Sequence, residues 1–155
     1  MGNRAVIASA TEKEKGIGIY VHWNGGVESV EAFLAYCEMK EFRAPTEDCY
    51  GWAYLTTVIG NFFGDGLSVG IDLCDNLDTD NGDNGVYYID GWKIVGRSYD
   101  GCPLESDKSQ LYIRLLGINK AQSEAIRVSD KVIKEYCEKN DIPVDVPAED
   151  APVED

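Results

Sequence analysis

Residues 86–95 read Val86-Tyr87-Tyr88-Ile89-Asp90-Gly91-Trp92-Lys93-Ile94-Val95, two short apolar and aromatic runs on either side of an Asp-Gly pair. Aromatic and β-branched side chains suit a half-buried pleated surface, and Asp-Gly tolerates the positive φ angles of a type I′ turn. The stretch predicts a β-hairpin. Its reading decides the fold class, because a tight turn makes neighbouring strands antiparallel with no helix between them.

Working outward, Leu67, Val69, Ile71 and Leu73 alternate with Ser68, Gly70 and Asp72, which predicts a strand with one buried face. Residues 5–9 and 17–23 predict two more strands joined by the charged turn Glu12-Lys13-Glu14-Lys15-Gly16. Between these pairs Val27, Val30, Phe33, Leu34 and Cys37 recur at helical spacing, ending near Lys40. After Pro45, Thr46 is a candidate N-cap, with Glu47 and Asp48 in the first turn of a helix that runs through Trp52, Leu55, Val58, Ile59 and Phe63 to Gly64. Residues 97–107 read as a connection and 110–116 as a short helix or a strand, the helix being preferred. Asn119 and Gln122 resemble a capping box, and Ala121, Ala125, Val128, Val132 and Tyr136 predict one long helix to about Lys139. Beyond it the chain is proline and acid without periodicity. The expectation is a single α+β domain over residues 1–139, an antiparallel sheet built from hairpins with helices packed on it, followed by a disordered acidic tail over 140–155.

The chain has 155 residues, 44% of them hydrophobic and 10% aromatic, enough for the core of one domain. Acids outnumber bases by 28 to 14, giving a net charge of −14. That balance argues against direct binding to nucleic acid or anionic lipid, since like charges forgo the counterion release that drives such contacts. No run approaches the roughly 18 apolar residues of a membrane span, and Met1 to Ala10 lacks the basic-then-apolar pattern of a signal peptide. A cytoplasmic protein is expected. Five cysteines (Cys37, Cys49, Cys74, Cys102 and Cys137) form no C-x-x-C pair, so neither a disulfide framework nor a zinc site is indicated. Cys37, Cys49 and Cys137 are expected to be small core residues.

The charge is unevenly placed. Residues 65–92 hold seven acids and no Lys or Arg, residues 140–155 hold six acids and no Lys or Arg, and residues 107–139 carry a slight basic excess, seven to five. Within the first segment Asp72, Asp75, Asp78, Asp80 and Asp83 are candidates for an acidic binding surface. Three readings stand for the loop 75–85: a turn held by Asn and Asp hydrogen bonds, a protein-binding surface, or a calcium site. EF-hand spacing fails in the two frames that begin at Asp78 and Asp80, because Gly82 falls where a ligand belongs in each. The basic helix 119–139, with Lys120, Arg127, Lys131, Lys134 and Lys139, reads as a solvated face rather than a nucleic-acid helix.

His22 is the single histidine, and a catalytic role would need Cys74 or Asp72 brought to it from another strand. Tyr20, His22, Trp23 and Trp92 form a candidate pocket for a flat ligand, although core packing accounts for such aromatics equally well. No nucleophile elbow, zinc-protease motif or phosphate-binding loop is present.

The stretch GIYVHWNGG at residues 18–26 with its following helix, YGWAYLTTVIGNFFGDGLSVGID at 50–72 and DNLDTDNGDNGVYYIDGWKIVGR at 75–97 resemble a group of small proteins of Gram-positive bacteria, their phages and mobile elements. The resemblance spans about residues 16 to 97. It implies an accessory gene product and no known chemistry. Small acidic phage proteins often inhibit host defence, some as mimics of DNA, which is an analogy of setting. The leading expectation is a non-enzymatic module that uses its acidic surface against a basic protein surface. The alternative is a small enzyme or ligand-binding domain centred on His22 and the aromatic hairpin, and calcium is the one cofactor considered.

Overall fold

The computed structural model describes residues 2–45 and 48–144. The chain is α+β, a five-stranded sheet with four helices packed on it. The elements are β1 (Ala5–Ser9), β2 (Ile17–Val21), α1 (Val27–Met39), α2 (Cys49–Phe63), β3 (Val69–Leu73), β4 (Val86–Asp90), β5 (Lys93–Arg97), α3 (Leu111–Ala121) and α4 (Asp130–Lys139). Strand order is β3-β2-β1-β4-β5. Both expected hairpins form, with β1 antiparallel to β2 and β4 antiparallel to β5.

They join differently from the expectation of an all-antiparallel sheet: β1 lies parallel to β4, with Val6 opposite Val86 and Ser9 opposite Ile89. The reason is topological. β3 returns antiparallel to the outer side of β2, so it runs in the same direction as β1, and the chain must cross β2 and β1 before β4 can form. The Asp/Asn-rich segment 74–85 makes that crossing.

β1 occupies the centre and is buried along its whole length. Ala5 and Ile7, with Ile19, Val21, Tyr87 and Ile89, face the helices and share one core with Phe33, Leu34, Leu55, Ile59, Leu115 and Ile133. Val6 and Ala8 face the other way and pack with Val86 and Cys74, flanked by Leu77, Tyr20 and Tyr88 of the crossover and sheet. An unbroken Ala-Val-Ile-Ala run is what a strand covered on both faces requires. The crossover lies close to the sheet at Gly18, where a Cβ would stand 3.0 Å from Leu77 Cδ1 and 3.1 Å from Val6 Cγ1.

Several local expectations shift. In the β4–β5 turn Asp90 pairs with Lys93, so the central residues are Gly91 and Trp92, and only Gly91 takes a positive φ, of 61°. Positive φ at the first central residue alone is the type II′ pattern, not I′. Asp48 is the N-cap of α2, its side chain accepting from the Tyr50 amide at 3.0 Å. The expected Thr46 cap lies outside the described residues. Cys37 and Cys137 are buried as expected, whereas Cys49 is exposed in the first turn of α2.

The largest difference is at the C-terminal end. One long helix was expected from Asn119, but α3 ends at Ala121 and α4 begins only at Asp130. Asn119 and Gln122 end a helix here rather than cap one, because both are buried and bound to distant backbone. Asn119 accepts from Tyr36 Oη at 2.7 Å and from the Val128 amide at 3.0 Å, and its Nδ2 donates to the Val128 carbonyl at 2.8 Å. Gln122 Nε2 donates to the carbonyls of Val58 and Ile118 and its Oε1 accepts from Asn61. Past Lys139 the chain stays packed through Ile142, which is buried, while residues 145–155 of the expected tail lie outside the described residues.

Asn119→Ala should leave the buried Tyr36 hydroxyl and the Val128 amide without partners and destabilise the protein by about 2–3 kcal/mol. Urea unfolding followed by circular dichroism measures this. A loss near zero would show that the α3–α4 connection does not depend on Asn119.

Candidate functional site

The acidic crossover is held by one buried amide. Asn81, 3% exposed, accepts from the backbone amides of Asp83, Asn84 and Gly85 through Oδ1 at 3.0, 3.1 and 3.0 Å. Its Nδ2 donates to the carbonyls of Asp78 and Gly85 at 3.0 and 3.2 Å. A segment lying flat on an apolar face has no strand to satisfy its backbone, and an asparagine side chain supplies that partner in both senses. The turn reading of this loop thus has a concrete structure.

Its acids are not equivalent. Arg4, just before β1, donates through Nε to Asp83 at 2.8 Å and through Nη1 to Asp78 at 3.3 Å, and its own amide donates to Asp83 at 3.0 Å. The Arg4 hydrogen bond holds the Asp83 carboxyl below its ordinary range. Segment 65–92 has no base of its own, but the fold brings it one. Asp72 is exposed but bonded within its own segment, its Oδ1 accepting from the Leu73 amide at 2.7 Å and from Asn76 Nδ2 at 3.2 Å. Asp75 and Asp80 are exposed. Among the described residues no group of three or more His, Cys, Asp or Glu is placed to hold a metal ion.

β3 is an edge strand flanked by these acids. His22 N donates to Ser68 O, and Cys74 N to Gly16 O. By the antiparallel alternation, residues 68, 70, 72 and 74 bond to β2 while Val69, Ile71 and Leu73 direct their N–H and C=O groups outward, the Leu73 N–H being taken by the Asp72 side chain. The expected buried face is only half built. α2 covers Val69, but Ile71 is 52% and Leu73 50% exposed, beside Ile17 across the pair from Leu73, and Leu67 in the preceding turn is 68% exposed. Nothing among the described residues covers this row.

The expected aromatic pocket does not assemble. The Tyr20 hydroxyl and His22 Nδ1 share a hydrogen bond of 2.9 Å, and the Trp23 ring meets His22 edge-on at 5.0 Å, itself half exposed. Trp92 lies at the opposite end of the sheet: Val21 pairs with Ala5 at one end of β1, whereas Ile89, just before the hairpin turn, pairs with Ser9 at the other. The Trp92 Nε1 donates to the Phe42 carbonyl at 3.0 Å, and its ring lines a separate cleft of about 250 Å³ with Glu31, Leu34 and Tyr136. The catalytic partners considered for His22 are equally remote. Asp72 is opposite Gly18, four residues along β2 or roughly 13 Å at the ~3.3 Å rise of a strand. Cys74 is farther still, opposite Gly16.

No protein-family model, curated protein or solved structure matches the chain. No helix among the described residues is long and apolar enough to cross a membrane. Sequence reasoning singled out the acids but missed Arg4 and Asn81, which organise them, and the exposure of Ile71 and Leu73. The one signal for Asn81 was its place among Asn and Asp residues; Arg4 lies far away in sequence and carried none.

Asn81→Ala should cost about 3 kcal/mol, because it strips partners from several buried backbone groups. Urea unfolding tests it, and a loss under about 1 kcal/mol would show that the crossover is held otherwise. Since Asp83 has a lowered folded pKa, its contribution is present above about pH 4 and is lost as pH falls through the folded value. The Asp83 carboxyl carbon, followed by NMR, should titrate below the ordinary ~3.9 and return toward it in Arg4→Gln.

Proposed function

We propose that this chain is a non-enzymatic protein-binding module whose working surface is the open β3 edge and the acids beside it. The carrying observation is the conjunction at one place of the outward backbone groups of Val69 and Ile71, an exposed apolar row of Leu67, Ile71 and Leu73, and the flanking acids Asp65, Asp72 and Asp75 with no Lys or Arg among them in sequence. Edge strands of this kind are templates for strand addition, in which backbone hydrogen bonds give affinity and alternate side chains give specificity. Charge selects the occupant. A basic extended segment of a protein partner, with apolar side chains alternating with Lys or Arg, complements Asp65, Asp72 and Asp75. A second copy of this chain would set two such acidic segments against each other. In the accessory role that the resemblance implies, the bound segment would belong to a host protein, in the cytoplasm where five free cysteines are at home.

The acidic surface proposed for this work is Asp72 and Asp75; Asp80 stands toward the other edge of the sheet, its Oδ1 3.5 Å from the hydroxyl of Tyr99 just past β5. Asp78 and Asp83 are engaged by Arg4, which lends less support to five equivalent, phosphate-like carboxylates. Charge reversal at Asp83 would place two cations together and unsettle the crossover, so it cannot report on binding alone.

A fluorescein-labelled peptide of alternating lysine and valine should bind the protein at low salt. Its affinity should fall about tenfold or more on raising sodium chloride from about 50 to 500 mM, as exposed charge pairs are screened. Ile71→Lys, at an exposed site, should abolish binding without lowering the melting temperature. Equal binding of a version with proline at alternate positions, or unchanged binding by Ile71→Lys, would show that charge acts without strand pairing and overturn the reading.

A further inference from the structure

A second site stands independently of the β3 edge. Helices α1, α2 and α3 border a half-open pocket of about 190 Å³ lined by Ala32, Phe33, Phe62 and Ile118 and by three polar residues, Asn24, Ser29 and Arg114. Its aromatic wall is an edge-to-face pair, Phe33 and Phe62, with ring centres 5.3 Å apart. Arg114 is the charge in an otherwise apolar setting. Its Nη1 donates to Ser29 Oγ at 3.3 Å, and Asn24 Nδ2, also at the pocket, donates to the same oxygen at 3.4 Å. Arg114 Nε is buried with no hydrogen-bond partner, and among the described residues no carboxylate lies within ion-pair distance of the guanidinium. Glu28, the nearest acid in the chain to Ser29, folds back over Gly26 instead.

A guanidinium offers five donors in a planar fork that matches a carboxylate, and a part-buried one with a single hydroxyl partner is under-used. The pocket is too apolar for a bare inorganic anion. Its size suits one ring, since a cavity of about 150 Å³ holds benzene. We propose that this pocket binds a small carboxylate with a compact aromatic or branched apolar body, of the size of benzoate. The carboxylate accepts from Arg114, and the ring lies against Phe33 and Phe62.

Sodium benzoate titrated into the intact protein, followed by amide NMR, should give saturable shifts at Asn24, Ser29, Phe33 and Gly117. Arg114→Gln should weaken binding about tenfold or more, and benzamide, of the same shape without the charge, should bind the parent protein correspondingly weakly. Gly117→Leu supplies a second variant that favours the fold. A Cβ there meets nothing within 4 Å, leucine raises helix propensity, and Gly117 itself lines the pocket, so a leucine at this position should obstruct it and binding should be lost while the melting temperature holds or rises. Absence of saturable shifts up to the solubility limit, equal binding of benzamide, or unchanged binding by folded Gly117→Leu would each overturn the proposal.

Discussion

Ala5 and Ile7 on one side of β1 and Val6 and Ala8 on the other are all withdrawn from water, so each face of the central strand needs its own cover. The helices supply one. Among the described residues none of α1 to α4 packs on the other, and it falls to the segment between β3 and β4. That single demand fixes the parallel β1–β4 joint, the strand order and the course of the acidic loop. It also explains Gly18, which lets Leu77 approach the sheet closely enough to seal Val6.

The composition of the crossover follows from the same demand. Irregular backbone laid over an apolar face must find hydrogen-bond partners locally, and side-chain amides of asparagine provide them without the cost of burying a charge. Asn81 is the fully buried instance. The aspartates stand outward, where two of them engage Arg4 and thereby tie the end of the crossover to the start of β1. Much of what looks like a binding signature in the sequence is thus the means by which a loop behaves as a layer of structure.

Element type was legible wherever one period dominated. The two hairpins, α1 and α2 follow from alternation and three-four spacing within a few residues of their observed bounds. The joint between the hairpins was not legible, because a parallel pair formed by residues some 80 apart leaves no local trace. The break between α3 and α4 was obscured for another reason. Two short helices in succession present apolar residues that merge into one apparent period, and Asn119 and Gln122 at helical spacing imitate a start. The competing sign was Ser129 before Asp130, an N-cap with an acid in the first turn, which the longer pattern outweighed. The Arg114 pocket is assembled from three helices, and no spacing within any one of them announces it.

The two edges of the sheet sharpen what the remaining charge is for. β5 carries the devices that discourage pairing: Lys93 and Arg97 on the strand, an extra residue between Ile94 and Gly96 where the register shifts opposite Tyr88 and Ile89 of β4, and an Arg97 side chain committed to the carbonyls of Asn84 and Pro103. β3 has neither lysine nor proline nor bulge. Its protection consists of its five-residue length and of Asp72, which occupies the Leu73 amide from within the strand. Negative charge around β3 still repels a second copy, because each copy brings the same acids, but it attracts a basic strand. An edge guarded by charge of one sign alone excludes its own kind and admits the opposite sign. The asymmetry between the two edges leaves β3 the less protected of the two, which is the feature on which the proposed strand addition rests.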